Sequence, residues 1–317
     1  MHTNIIIRSI ITSREMPPPR GCFNPLEGPG DYDTTSVVHS DTYPAIDSSK
    51  ADLSGRIVFI SGASRGLGKA MSVSFAKAGA SKIVIGARSD LSETIEAMKA
   101  ATAKLGKPEP AILPLKIDVS NRQSVDRAAA EVKEKFGYVD IIINSAGILT
   151  KGYIADSDPD EWWRVLQVNL MGPFLVARAF IPLLLEGVDK TIITVSSAGA
   201  HSLTPGLSAY QTSKLAATRF TQFVSAEYGD KGILSYCIHP GNIPTAVVGG
   251  KEGLPPEFRP IFVDTPELSA DSLVYLTSKK RDWLAGRYLN LTWDLPELME
   301  KEDEIVKGDK LKVRLVL

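Results

Sequence analysis

Tyr210 and Lys214 stand four residues apart in Ser208-Ala209-Tyr210-Gln211-Thr212-Ser213-Lys214, and Ser197 lies thirteen residues before the tyrosine. On a helix, that spacing sets the phenol and the amine one turn apart on one face. A phenol titrates near 10, too high for easy proton transfer at neutral pH, and a neighbouring ammonium favours the phenolate. Bringing it to about 7–8 asks roughly 3–4 kcal/mol, at about 1.36 kcal/mol per unit. The chemistry to expect is proton exchange with a substrate oxygen. A lone tyrosine–lysine pair at this spacing recurs by chance, so its weight depends on what surrounds it. Ser197 closes the strand-like run Ile192-Ile193-Thr194-Val195-Ser196-Ser197, in which Ser196 is the rival serine.

A second group of residues could hold a nucleotide. Ser61-Gly62-Ala63-Ser64-Arg65-Gly66-Leu67-Gly68 follows the β-branched run 56–61 and opens a helical pattern of Leu67, Met71, Phe75 and Ala78. Glycines serve where the chain turns tightly, where backbone approaches pyrophosphate and where helix meets strand. The helix N-terminus adds unpaired N–H groups and a positive dipole end. With a strand before and a helix after, the cluster reads as a dinucleotide-binding turn. At the end of the next strand, where a carboxylate would accept from the ribose 2′-OH of NAD, the chain reads Gly86-Ala87-Arg88-Ser89. Arg88 and Arg65, with no acid beside them, suit a 2′-phosphate, so NADP is expected over NAD. The competing reading makes both arginines solvated surface charges.

With its G-x-x-x-G-x-G spacing and the Ser197, Tyr210 and Lys214 set downstream, the chain resembles the short-chain dehydrogenase/reductase family over about residues 53–292. The resemblance implies that Ser197, favoured over Ser196 by its spacing, hydrogen-bonds the substrate oxygen. Tyr210 would exchange its proton, and Lys214 would tune Tyr210 and hold the nicotinamide ribose. Asn169, in Val168-Asn169-Leu170, matches the asparagine that positions a water in the family's proton relay; otherwise it is an ordinary helix asparagine. Asp118-Val119 looks like the adenine-contacting pair. Asn144-Ser145-Ala146-Gly147 resembles the family's Asn-Asn-Ala-Gly, with Ser145 departing from it. Small Ala146 and Gly147 would let backbone approach the cofactor riboses, while Asn144 either braces the sheet or touches the cofactor. His239-Pro240-Gly241-Asn242-Ile243-Pro244-Thr245 resembles the family's Pro-Gly turn, with Pro240 and Gly241 shaping the backbone. Ile243 and Thr245 would meet the carboxamide.

The expected activity is NADP(H)-dependent interconversion of a ketone and a secondary alcohol, the hydride chemistry belonging to the cofactor. Two other readings stay open: a catalytically idle nucleotide sensor or scaffold, and an epimerase or dehydratase on the same site. The tail beyond Trp293 is similar to that of reductases from filamentous fungi, which implies a secondary-metabolite ketone of polyketide or terpenoid type.

These residues need elements to hold them. Strand-like runs at 56–61, 82–87, 112–117, 139–143, 190–196, 233–238 and 286–292 alternate with helical patterns at 66–79, 91–105, 121–136, 159–187, 208–229 and 266–278. Such alternation predicts an α/β fold, a doubly wound Rossmann-type parallel sheet with helices on both faces and sites at the strand carboxyl ends. We expect one catalytic domain over 53–293, a mostly irregular N-terminal extension over 1–52, draped on the surface or mobile, and a C-terminal extension over 294–317. The Gly- and Pro-rich segment 246–266, with Val247, Val248, Leu254, Phe258, Ile261 and Phe262, predicts an apolar lid and a fairly hydrophobic substrate. Trp162 and Trp163 read as packing or subunit contacts.

The 317 residues carry 36 basic and 37 acidic side chains with no basic run, so no nucleic-acid partner is expected. Two distant cysteines, Cys22 and Cys237, and four histidines at no ligand spacing predict neither disulfide nor metal site. No stretch reads as a membrane span. The run 5–11 is too short and arginine-broken for a secretory signal. The chain is expected in the cytosol as a homodimer or homotetramer acting on a small-molecule carbonyl or alcohol.

Overall fold

The alternating runs fold as their periods demand. A computed structural model describes residues 30–315; the readings made above on residues 5–11, Cys22 and the rest of 1–29 lie outside the described residues. Seven strands form one parallel sheet: β1 (Ile57–Ser61), β2 (Lys82–Ala87), β3 (Ala111–Lys116), β4 (Ile141–Asn144), β5 (Thr191–Val195), β6 (Leu234–His239) and β7 (Tyr288–Asn290). Their order is β3-β2-β1-β4-β5-β6-β7, so strand order reverses between β1 and β4. Every residue of β1, β4, β5 and β6 is buried, as a sheet covered on both faces requires.

The two-residue strand period deals side chains alternately into two cores. Val58, Ile60, Ile141 and Ile143 join Met71 and Phe75 on one face. Ile57, Phe59 and Ile142 join Val132, Phe180 and Leu184 on the other. Helices α1 (Gly66–Lys77), α2 (Ser92–Lys104), α3 (Arg122–Phe136), α4 (Pro159–Leu166), α5 (Gly172–Leu185), α6 (Ser208–Tyr228) and α7 (Pro266–Ser278) cover those faces. On one side α1 packs on α2 and α7; on the other α3 packs on α5.

One predicted helix, continuous over Pro159–Leu185, carries an internal π turn. The run 159–187 divides into α4 and α5 around a single π turn, Gln167–Met171, in which the Gly172 N–H reaches back to the Gln167 carbonyl. Pro173 explains the break: it has no N–H to offer the carbonyl of Asn169, four residues earlier, and its ring crowds that carbonyl. The widened turn is centred on Asn169. The same run corrects the reading that no segment is long and apolar enough to span a bilayer, since an 18-residue window within Pro159–Leu185 has a mean hydropathy of 1.7. Of that window 61% is buried inside the fold, so core packing accounts for its composition.

The described part of the N-terminal extension is irregular yet pinned in place. Val38 forms an isolated antiparallel bridge with Trp293. The Trp293 indole N–H donates to the Asp31 carbonyl at 3.0 Å, and Ser36 N–H donates to Glu297 at 2.7 Å. The Tyr43 hydroxyl accepts from Leu295 N–H at 2.9 Å, and the Tyr43 ring stacks on His39 at 3.6 Å. Leu295 and Glu297 belong to α8 (Leu295–Glu300), capped by Asp294 and followed by α9 (Glu302–Lys307), two short helices that hydrophobic periodicity did not reveal.

Candidate active site

The candidate residues lie on the turns that follow the strands, with Tyr210 and Lys214 on α6 and Asn169 in the π turn between α4 and α5. After β1 the chain turns through Gly62, at φ +70°, and Gly66, at φ +53°. A Cβ on Gly62 would lie 2.8 Å from the Cα of Ala146, and one on Gly68 would lie 2.3 Å from the Gly62 carbonyl oxygen. Both positions therefore require glycine, and the turn presses against the loop after β4 at the reversal of strand order. Arg65, at the N-cap of α1, makes no side-chain capping bond, which leaves the first-turn N–H groups facing the cleft. That cleft, a cavity of about 180 Å³, is lined by Gly62, Ser64, Arg65, Gly66, Leu67, Gly68, Arg88, Asp118, Val119, Ala146 and Gly147. Ser64 and Ser89 hydrogen-bond each other at 2.9 Å, whereas exposed Arg65 and Arg88 make no ion pair among the described residues. The Asp118 carboxylate is turned to its own loop, accepting from Ser120 N–H at 3.0 Å and from its hydroxyl at 2.6 Å.

A second cavity, of about 300 Å³, continues from the first through Leu67, Ser145, Gly147, Thr245 and Val247, which line both. Its walls bring together Ser197, Tyr210 and Lys214 with Pro240, Gly241, Ile243 and Thr245. Lys214 Nζ lies 5.6 Å from the centre of the Tyr210 ring, so the helical spacing does place amine and phenol together. Nζ donates to the Val195 carbonyl at 2.8 Å. Ser196 and Ser197 separate cleanly. The buried Ser196 hydroxyl is spent inside the fold, 3.1 Å from the Lys214 carbonyl and 2.9 Å from Thr218 Oγ1. Ser197 Oγ accepts from Gly199 N–H at 3.0 Å and lies within the cavity wall beside the Tyr210 phenol.

Electrostatics depart from expectation. Burial raises the Tyr210 phenol above its ordinary value of 10, the Ser197 hydroxyl beside it pulling the other way without prevailing. The ammonium was expected to depress the phenol, but Lys214 is itself fully desolvated, and burial lowers it to about 8. Two buried groups share one dry pocket, and desolvation penalises the charged form of each.

Asn169 lines neither cavity but holds one in shape. Its side chain accepts from Ile148 N–H at 2.9 Å, donates to the Ile148 carbonyl at 2.9 Å and to Ser213 Oγ at 3.0 Å. Asn144, the last residue of β4, is buried, and among the described residues neither of its amide atoms nor the neighbouring Ser145 Oγ has a partner. Sequence reasoning missed Ser145 as a shared wall residue. It also missed Gln211, whose amide accepts from Thr204 N–H at 2.8 Å and donates to Ser202 Oγ and Thr204 Oγ1 at 3.0 Å each. Gln211 thereby ties the wall loop 202–207 to α6; its adjacency to Tyr210 was the available signal. The lid forms two single 3-10 turns, Ala246–Val248 and Pro256–Phe258. Val247, Val248, Leu254, Phe258 and Phe262 line the cavity, while Ile261 is buried behind them.

A short chain dehydrogenase family model matches residues 56–252. This chain belongs to the short-chain dehydrogenase family. It is 58% identical over 302 residues to the short chain dehydrogenase pigC of Monascus ruber, covering 95% of this chain and 100% of that one. It is 53% identical to the short chain dehydrogenase tazN of Aspergillus terreus, covering 92% of this chain and 63% of that longer protein. In fold it resembles carveol dehydrogenase from Mycobacterium avium in complex with NAD, at a TM-score of 0.67 and 21% identity, covering 76% of this chain and 97% of that one. The chain is thus an NAD(P)-dependent oxidoreductase. Its residues fit such a cofactor: two glycines that no Cβ can replace, an uncapped helix start and unpaired polar atoms along the cleft.

Gly62→Ala tests the turn directly. A β-carbon there meets backbone and strains a positive φ, worth about 1–3 kcal/mol. We expect a lowered urea midpoint and at least about tenfold weaker cofactor binding by fluorescence titration. Unchanged binding would remove the turn from the cofactor site.

Proposed function

We propose that this chain reduces a fairly hydrophobic ketone to a secondary alcohol, or runs the reverse reaction, with NADP(H) as cofactor and Ser197, Tyr210 and Lys214 as the reacting set. The observation that carries the reading is the convergence of those three side chains in one cavity continuous with the glycine-lined cleft. When bound, the nicotinamide supplies or accepts the hydride. All other steps fall to the protein. The Ser197 hydroxyl and the Tyr210 phenol both face the space where a carbonyl oxygen would sit, and each donates a hydrogen bond to it. A phenol whose proton affinity is raised by burial stays protonated at neutral pH, the state that reduction needs. As charge develops on the oxygen, Tyr210 gives up its proton and Lys214, kept dry and close, stabilises the phenolate left behind. The apolar lid excludes water and favours a hydrophobic substrate.

The 2′-phosphate reading is supported by Ala87 ending β2 without a carboxylate while Arg65 and Arg88, with no ion pair among the described residues, line the same cavity. Arg88→Ala should raise KM for NADPH by about tenfold, in line with one charge-assisted contact of about 1.4 kcal/mol, and change KM for NADH by less than twofold. Equal losses with both cofactors would show that Arg88 does not read the phosphate.

For a panel of apolar ketones followed by NADPH absorbance, Tyr210→Phe should lower kcat by at least about a thousandfold, within the range of a lost general acid. Retention of a tenth of the wild-type rate would end the assignment.

The pH dependence follows from the lowered Lys214. The amine is charged below about 8 and neutral above it. The ratio kcat/KM for the cofactor reports the free enzyme, so it should be level on the acid side and decline as pH rises through about 8. A decline that begins only above pH 10 would mean that Lys214 is not the titrating group.

A further inference from the structure

Lys151 is a cation on an otherwise acid-free wall. The larger cavity has no Asp or Glu in its lining, and beyond Lys214 the only other lysine or arginine it contains is Lys151. Lys151 forms no hydrogen bond or ion pair among the described residues. The chain here is fastened on both sides. Ile148 is gripped at its N–H and its carbonyl by Asn169, at 2.9 Å each. Gly152 N–H donates to the Gly206 carbonyl at 2.9 Å, joining the loop to the opposite wall. A side chain on Gly152 would strike Ser157 Oγ at 2.8 Å, and that hydroxyl in turn donates to the Tyr153 carbonyl at 2.8 Å. Only three residues, Leu149 to Lys151, hang between the two anchors. Close by in the chain, Tyr153 is 66%, Ile154 82% and Leu203 98% exposed.

A largely apolar chamber whose wall carries an exposed lysine with no partner among the described residues matches a molecule that is apolar along its body and anionic at one end. We propose that Lys151 selects the substrate: the preferred ketone carries a carboxylate or a comparably acidic hydroxyl remote from its carbonyl, and that group pairs with Lys151 while the carbonyl reaches Ser197 and Tyr210. This rests on the ketone-reductase reading. The physical basis is that a charge pair at a cleft flanked by low-dielectric walls is stronger than one on open surface, and that Lys151 makes no ion pair among the described residues.

The test separates binding from turnover. An alkyl aryl ketone bearing a terminal carboxylate and its methyl ester are titrated calorimetrically into protein saturated with NADP+. Wild type should bind the acid about tenfold more tightly than the ester. Lys151→Ala should abolish that preference while leaving ester affinity within twofold, Lys151→Arg should retain it, and Lys151→Glu should invert it. The acid preference should also shrink between 50 and 500 mM salt. Equal binding of acid and ester by wild type, no measurable binding of the acid, or a preference that survives in Lys151→Ala would each overturn the proposal. The reductase reading is judged separately, by NADPH oxidation with the neutral ester, in which Lys151 has no part.

Discussion

The site depends on a contact that tolerates no side chain. Where strand order reverses, between β1 and β4, the turn after one strand lies against the loop after the other, and a Cβ on Gly62 would sit 2.8 Å from the Ala146 backbone. That closeness lets one cleft run unbroken from the arginines beyond β2 to the tyrosine on α6. A side chain at Gly62 would push β1 and β4 apart and split the cleft at its middle. The neighbouring glycine acts in the same sense, because Gly68 brings the first turn of α1 onto the Gly62 carbonyl and fixes where the helix start points. Backbone proximity at the switch point thus precedes any argument about reacting groups.

Within that cleft, desolvation is the dominant electrostatic force. It raises Tyr210 and lowers Lys214, so each group favours its neutral form. The two shifts are complementary for reduction. A phenol that holds its proton is a donor awaiting a partner, and an amine titrating near 8 is charged at neutral pH but no longer firmly so. The amine stays close through its bond to the Val195 carbonyl, which belongs to β5 and moves only with the sheet. The pairing inferred from helical spacing is correct as geometry. Its electrostatic consequence had the wrong sign for the ligand-free protein, because spacing reports proximity and says nothing about how much water each group has lost.

The same distinction explains what was legible in the sequence. Strands of Ile and Val with two-sided burial announce themselves, and all seven lie within a few residues of their expected places. The glycine turn was readable because positive φ and close approach leave a residue-type signature. The break at 167–171 was not read, although Pro173 stands four residues after Asn169, since the apolar period runs across it without interruption. The same long apolar period belongs to a core helix, and only packing reveals that it is one. The segment beyond residue 30 and the two C-terminal helices were obscure for another reason. Their stability comes from mutual contacts such as Ser36 with Glu297 and Trp293 with Asp31, separated by about 260 residues, and no local pattern encodes such pairs.

Those distant pairs reach the site as well. The Asp31 carboxylate, almost wholly buried, meets His201 Nε2 at 2.9 Å, and His201 closes the 3-10 turn that Ser197 begins. Gln211 secures the following loop from the α6 side, and Gly152 secures it from the β4 side. The wall that carries Ser197 is therefore held from three directions: by the N-terminal segment, by the helix bearing Tyr210 and by the loop bearing Lys151. A hydroxyl that must align with a phenol gains from this, because each degree of freedom removed beforehand is one the substrate need not freeze. Loops at strand ends are free to vary because the sheet does not need them. This one is nonetheless immobilised by polar side chains whose partners lie outside it, which is how an irregular segment can hold a reacting group in register with a regular one.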